Sequence, residues 1–384
     1  MIIHQFLQWI KTAPAGARAE ATGALARAWL HSPLSEDDRA AALSALTWLL
    51  DDPAPEVRFA LADVFARRTD APQHLILSLM RDRSEIAALV VAHSPLIPDS
   101  DLIDLAAEGD IVLQRAIARR LDLSAPVAAA LAEVAPGPVC ADLLDNEHAH
   151  LLVFSLSRLA ERFAGEAELR NRLLARPNLP LAVRHRLLTA LTEGLRDRAV
   201  VLVGSDPEET ASYLEEAQEK ATLVLCGQAD EHGLPAFVEH LRASGQLTAR
   251  LLIRAAGQGR LRLLALSLAL LTAQDADTVA GVLATGREAG LRALIAGAGL
   301  PRRCHPLFVS VIQAYREAGE AFSRDATPDV VRPVLEQVAT RLQAAAGRAG
   351  GEDIDDLLRM VRGFVLEAAR SDARRFVEGA RAAA

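Results

Sequence analysis

A chain of 384 residues with 51% apolar composition is long enough to bury a large core and too apolar to stay disordered. Ala (74 residues) and Leu (61) supply about a third of it while aromatics reach only 4%, which excludes a β-sandwich or large α/β sheet built from Val, Ile, Tyr and Phe runs; the expected fold class is all-α. A net charge of -8 argues against non-specific binding to nucleic acid, which draws its affinity from Lys and Arg on phosphates.

The first nine residues, Met1 to Trp9, carry no basic n-region, and Lys11 follows the apolar stretch instead of preceding it, so no signal peptide is expected. Ser35-Glu36-Asp37-Asp38 reads as a helix start, a capping hydroxyl followed by an acidic first turn, with Leu43, Leu46, Leu49 and Leu50 forming the apolar stripe behind it. Next comes Asp51-Asp52-Pro53-Ala54-Pro55-Glu56-Val57-Arg58, an Asp cap, an early Pro and an Arg one turn in, ahead of Phe59, Leu61, Ala62, Val64 and Phe65. This stretch resembles the second helix of a HEAT repeat. There the Asp and Arg support neighbouring turns and the apolar face packs between helix pairs.

Repetition supports the same reading. Leu102-Ile103-Asp104-Leu105-Ala106-Ala107-Glu108-Gly109 is matched 150 positions later by Leu252-Ile253-Arg254-Ala255-Ala256-Gly257-Gln258-Gly259, and each is followed by a second helical pattern. A HEAT-like period of about 37 to 40 residues divides that interval into close to four repeats. The expectation is a HEAT-like α-solenoid of stacked antiparallel helix pairs. It divides into N-terminal helices over 1–50, a repeat array over 51–320 and a C-terminal helical cap over 321–384, with a hinge near 347–351.

Several segments suggest chemistry and have simpler explanations. Asp145, Glu147, His148 and His150 are the densest group of metal-ligand types, but on a helix positions i and i+2 diverge by about 200°, so a polar helix start is preferred. No HExxH occurs and no His is followed by Asp. Gly257-Gln258-Gly259 and Gly297-Ala298-Gly299 do not extend into a phosphate-loop pattern and read as turn glycines. The β-branched runs Val200 to Asp206 and Ala221 to Gly227 each continue a helical pattern and read as helix ends rather than strands. Cys140, Cys226 and Cys304 lie far apart with no CxxC pair, which points to small buried residues in a reducing compartment. The longest apolar stretch, Leu263 to Leu271, is about half a membrane span.

Asn146-Glu147-His148, Arg176-Pro177-Asn178-Leu179-Pro180, Gly245-Gln246-Leu247-Thr248-Ala249-Arg250-Leu251-Leu252 and Ala298-Gly299-Leu300-Pro301 together resemble an uncharacterised alphaproteobacterial family of HEAT-like helical-repeat proteins. The resemblance covers roughly residues 50 to 320. It implies a fold and a bacterial group and brings no catalytic residue with it.

Arg302-Arg303-Cys304-His305 is the most concentrated cationic spot before the C-terminal segment, and Arg302, Arg303 and His305 are the candidate partner-binding residues; the plain alternative is an exposed turn before Pro306. At the C-terminus Ile354, Leu357, Leu358, Val361, Val365 and Ala368 line one helical stripe, suited to capping the array or to forming a homodimer. The function expected is a cytoplasmic, non-enzymatic scaffold or adaptor that binds a protein or peptide partner, with no cofactor and no metal. The alternative is a nucleic-acid reader of the HEAT-like DNA-glycosylase type, which needs a basic groove and stacking aromatics. Against it, Trp9, Trp29 and Trp48 all fall in the first 50 residues.

Overall fold

The computed structural model describes residues 2–177, 179–203, 206–230, 232–349 and 352–382, and among them the chain forms twenty-two α-helices and two short 3-10 turns, with no strand beyond one isolated bridge. Asn178, the Gly204-Ser205 end of the first β-branched run and the Gly350-Gly351 hinge lie outside the described residues. Two compact units divide the molecule, Met1–Ala190 and Leu191–Ala384.

The first unit contains α1 (Ile2–Ile10), α2 (Ala15–His31), α3 (Glu36–Trp48), α4 (Pro55–Phe65), α5 (Gln73–Leu79), α6 (Ser84–His93), α7 (Asp99–Glu108), α8 (Ile111–Ala118), α9 (Ala125–Val134), α10 (Gly137–Asp145), α11 (Val153–Phe163) and α12 (Ala167–Ala175). Next, α13 (Leu181–Val203) begins in this unit and ends in the second. Helices pack on their next-but-one neighbours, α2 on α4, α4 on α6, α6 on α8, α8 on α10 and α10 on α12, while α7 meets α9 and α9 meets α11. One continuous core results, running from Ile10 through Leu46, Phe65, Leu105, Leu131 and Leu159 to Leu187. Ala and Leu suit this arrangement because each helix is sandwiched at close range and no thick central layer exists for aromatics to fill.

Local signals behave as physics requires. The Ser35 hydroxyl accepts from the Asp38 N–H at 3.1 Å and caps α3. Asp52 does something else: α4 is capped at Ala54 without a side chain, and Asp52 is a hub, accepting from the Ala54 N–H (2.9 Å) and taking a bidentate pair from Arg18 at 2.9 and 2.8 Å. Arg58 donates to the Asp52 carbonyl (2.6 Å) and bidentately to Asp82 (2.6 and 2.8 Å), so a relay Arg18–Asp52–Arg58–Asp82 crosses from α2 to the turn before α6.

A second device recurs. The last carbonyls of a helix lack partners within that helix, and here a side chain at the end of the next-but-one helix supplies them. Arg120, after α8, donates to the Val91 and Ser94 carbonyls at the end of α6. Asn146, after α10, reaches the Ala118 and Arg120 carbonyls at 2.8 and 2.7 Å. Arg162 on α11 bonds the Ala132 and Ala135 carbonyls at 2.6 and 2.7 Å, and Arg176 reaches the Leu144 carbonyl at 2.8 Å. Burial pulls the Arg120 and Arg176 guanidinium groups below their ordinary value, and the carbonyls and the negative end of the helix dipole compensate for that desolvation.

The second unit contains α14 (Pro207–Gly227), α15 (Gly233–Ala243), α16 (Ala249–Gly257), α17 (Leu261–Thr272), α18 (Ala276–Thr285), α19 (Glu288–Gly297), α20 (His305–Glu317), α21 (Pro328–Ala349) and α22 (Glu352–Ala382). Its core gathers Phe308, Tyr315 and Phe322 with the aliphatic faces of α16, α17, α21 and α22. The matched segments 102–109 and 252–259 are both helix, glycine turn, helix: Gly109 has φ +87° and Gly259 φ +73°. Among the expected turn glycines, Gly259 and Gly299 have positive φ, whereas Gly297 is the last residue of α19 and Gly257 differs further. It ends α16 in helical geometry, and a Cβ there would sit 2.5 Å from the Phe364 ring of α22, so it is a packing glycine. Arg316 on α20 repeats the capping device, bonding the Val282, Leu283 and Gly286 carbonyls at the end of α18. Val200 to Val203 of the first β-branched run end α13, Asp206 caps α14, and the second run is helical within α14.

The unit's other polar feature is a charge cluster. Buried Arg254 of α16 is 2.9 Å from Glu219 and 3.5 Å from both Glu216 and Glu367, with its guanidinium 5.5 Å from the Phe364 ring centroid. Lys220 sits 2.8 Å from both Glu216 and Glu367, and Arg250 2.9 Å from Glu219. The cluster ties α14, α16 and α22 together. Among the described residues no single helix is long and apolar enough to cross a membrane; α17 and α18 pass together only as a pair bent by 118°.

Candidate binding surfaces

Two loops of the first unit, before and after the α9–α10 pair, lie side by side. The side chain of Asn146 donates to the two carbonyls closing α8, and its own carbonyl oxygen accepts from the His148 N–H at 2.9 Å. The His150 N–H then donates to the Leu123 carbonyl (3.1 Å), and buried Leu123 and Ala149 form a parallel bridge. The segment after Asn146 is therefore a turn over Glu147 and His148, closed by the Ala149 N–H on the Asn146 carbonyl (3.3 Å), that leads into a strand-like contact with the α8–α9 loop. The sequence reads Asp145, Glu147, His148 and His150 as a polar helix start; instead Asp145 ends α10, Glu147 and His148 form a turn, and the bridge at Ala149 and the extended step through His150 precede α11.

Pinning builds a shallow open cleft of about 330 Å³ lined by Arg119, Asp142, Asp145, Asn146, Glu147 and His148. Asp142 accepts from Arg115 (2.6 Å) and Arg119 (2.9 Å). Burial alone pushes its carboxyl up, but the two arginines outweigh that and hold it below the usual range. Asp145 pairs with Arg172 at 3.3 Å. Glu147 and His148 project exposed side chains. The same loop pair and the start of α11 carry Leu121 (74% exposed), Leu152, Val153 and Phe154 (68%). Sequence reasoning missed this apolar group. The available signal was the run Leu151-Leu152-Val153-Phe154, which is apolar on every face of a helix start, so that one packed side leaves the others uncovered.

Arg302, Arg303 and His305 occupy the 3-10 turn Arg302–Cys304 and the first residue of α20. Arg302 and Arg303 are exposed and make no ion pair among the described residues, whereas the half-buried His305 ring donates through Nε2 to the Leu300 carbonyl at 2.9 Å. The two arginines are exposed neighbours on the 3-10 turn, and the histidine is committed to the backbone. All three cysteines are buried. Burial pushes the Cys140 thiol up to about 11 and the Cys226 thiol up to about 12, which leaves neither with the thiolate that a nucleophile or metal ligand needs. Among the described residues no three His, Cys, Asp or Glu side chains converge as a metal site.

Comparison with known proteins places residues 86–349 in a family described as an uncharacterised protein conserved in bacteria (DUF2336). That span covers the pinned loop pair, the charged residues of α14 and α16, and the Arg302–Arg303 turn. No curated protein and no solved structure matches the chain.

Proposed function

We infer that this protein, which belongs to the bacterial DUF2336 family, is a non-enzymatic scaffold that binds a protein partner on a HEAT-like helical-repeat surface. Support for the repeat reading comes from the next-but-one packing of the first unit and from the recurrent capping of one helix end by a side chain 26 to 34 residues further on. The internal match at 150 residues supports the repeat array, the family-like motifs support an alphaproteobacterial group, and three widely spaced, buried cysteines fit a reducing, cytoplasmic setting.

The observation that carries the binding reading is the group Leu121, Leu152, Val153 and Phe154. Leu121 on one loop and Leu152, Val153 and Phe154 at the entry to α11 stand exposed on segments tied by Asn146 and the Leu123–Ala149 bridge, with a cleft of mixed charge at the same loop. Rigid presentation of apolar anchors next to polar groups is how interfaces concentrate their energy.

A photo-crosslinking amino acid at position 154, in the native bacterial host, tests the reading. It should trap one discrete protein, and Leu152→Asp in the same chain should abolish the adduct while helicity is retained. Adducts no different from those formed by the crosslinker at exposed Arg292 would reject the reading.

A further inference from the structure

Helix α22 has two apolar faces, and the unit covers one of them. Leu357, Leu358, Val361 and Phe364 are buried, and further along Arg375 extends that packed side by reaching Asp329 of α21 at 3.4 Å. About a third of a turn around the helix, Leu366, Ala369, Ala373, Phe376 and Val377 fall within an arc of roughly 100° at 3.6 residues per turn. On this second face the large residues stand in solvent: Leu366 is 53% exposed, Phe376 79% and Val377 48%.

The charges along the same stretch are not balanced. Arg362, Arg370, Arg374 and Arg381 are exposed and make no ion pair among the described residues. Of the carboxylates between them, Glu367 is held by Lys220 and Arg254, and Asp372 is held by Arg375 at 2.5 Å. Only Glu378 is exposed without a partner among the described residues. Between Arg362 and Arg381 this helix thus carries four exposed cations without an ion pair against one such anion, with Asp355 a second one at its N-terminal end, in a chain of net charge -8. Helix propensity and packing explain the covered side of α22; neither requires Phe376 to stand outside or arginines to flank it.

We propose that this outer face of α22 docks the protein on an anionic lipid bilayer, with Phe376, Val377 and Leu366 entering the headgroup boundary and Arg362, Arg370, Arg374 and Arg381 contacting lipid phosphates. An apolar stripe flanked by cations is the pattern of helices that lie in a membrane interface without spanning it. A duplex nucleic acid would use the arginines and leave the apolar stripe in water. A second copy of the chain would gain little, since three large side chains on one helix bury far less than the roughly 1,200 Å² at the lower end of stable interfaces, and its arginines would face arginines. The bilayer uses both halves of the pattern.

Flotation of the full-length protein with vesicles decides the matter. Vesicles of equal parts phosphatidylglycerol and phosphatidylcholine should carry the protein upward, pure phosphatidylcholine should not, and 0.5 M salt should release most of it. Arg370→Ala with Arg374→Ala should lower the partition coefficient roughly 25-fold, about fivefold for each charge. Phe376→Ala should lower it at least about tenfold, and Phe376→Leu should restore most of it. These side chains are exposed, so far-UV circular dichroism and the thermal midpoint should match the parent in every variant. No binding to anionic vesicles, binding that ignores lipid charge, or binding untouched by these substitutions would each overturn the proposal. So would a concentration-dependent dimer that Phe376→Asp dissolves in a protein that does not float, which would assign the face to a second copy.

Discussion

In the first unit the polar ties are spread out. Arg18 reaches Asp52, Arg58 reaches Asp82, Arg115 reaches Asp142 and Arg158 reaches Glu133, each joining a different pair of segments. In the second, Lys220, Arg250 and Arg254 crowd against Glu215, Glu216, Glu219 and Glu367 in one cluster where three helices meet. Short helices offer each neighbour only two or three turns of contact, so the first unit needs a polar tie at every step. The longer α14 and α22 carry several charges each and gather them around α16, about the buried Arg254 and the nearly buried Glu219. A distributed set fails gradually, whereas a concentrated set fails together.

The intrinsic fluorophores separate the two. All three tryptophans, Trp9, Trp29 and Trp48, lie in the first unit, and both tyrosines, Tyr213 and Tyr315, lie in the second. The largest effect is expected from Arg254→Met, which removes the buried cation of the cluster, leaves the nearly buried Glu219 with the half-exposed Arg250 alone and should destabilise the second unit by about 4 kcal/mol. Urea unfolding followed by circular dichroism would split into two transitions, with the tryptophan-detected one unmoved; adding Glu219→Leu should recover most of the loss. If both transitions shift equally, the separation of the two sets of ties is wrong.

Arg120→Met should come next, at about 3 kcal/mol, since it strands the Val91 and Ser94 carbonyls at the end of α6. This loss should appear in the tryptophan signal. Acid should do less and do it progressively. Burial raises the Asp52 and Asp82 carboxyls, but hydrogen bonds from Arg18 and Arg58 and nearby N–H groups outweigh it and hold both below their ordinary values. A carboxyl depressed in the folded state stabilises it above the unfolded value of about 4, and that stability drains as pH falls through the folded value. Tryptophan-detected stability should therefore decline below about pH 4, and Asp82→Asn should both lower the neutral-pH stability by about 1 kcal/mol and flatten the acid limb. An unchanged acid limb in that variant would remove the relay from the account.

The smallest expected effect is a gain. Ala273, between α17 and α18, holds φ +52°, a left-handed conformation that disfavours a Cβ. Ala273→Gly should raise the stability of the second unit by about 0.5 to 1 kcal/mol in the same urea measurement. A loss would mean that the alanine methyl packs well enough to offset its backbone conformation.

How much of this the sequence disclosed depended on the range of the interaction. The Ser35 cap, the apolar stripe of α3 and the paired glycine turns after 108 and 258 depend on residues within one or two turns, and all were legible. Asp52 looked like a cap because its true partner, Arg18, lies 34 residues upstream. Arg120, Arg162 and Arg316 carry no local signal, because the carbonyls they bind belong to helices 26 to 34 residues earlier. Gly257 looked like a turn for the same reason: the ring it admits, Phe364, comes from α22. The candidate surfaces follow this rule. Arg302 and Arg303 announced themselves by being adjacent, whereas the apolar group around Phe154 depends on two loops joined through Asn146. In α22 the stripe through Leu357 and Val361 was legible as period 3.6, but its neighbour through Phe376 has the same period and only packing tells them apart.

The buried thiols have a practical consequence. With Cys140 and Cys226 raised far above neutral pH and Cys304 also buried, the folded chain offers a maleimide almost nothing to react with. The natural protein therefore serves as its own cysteine-free background. A single cysteine placed at Phe154 or Phe376 would take a spin label or dye almost alone, so that depth in a bilayer or distance to a captured partner can be measured without first removing any native residue.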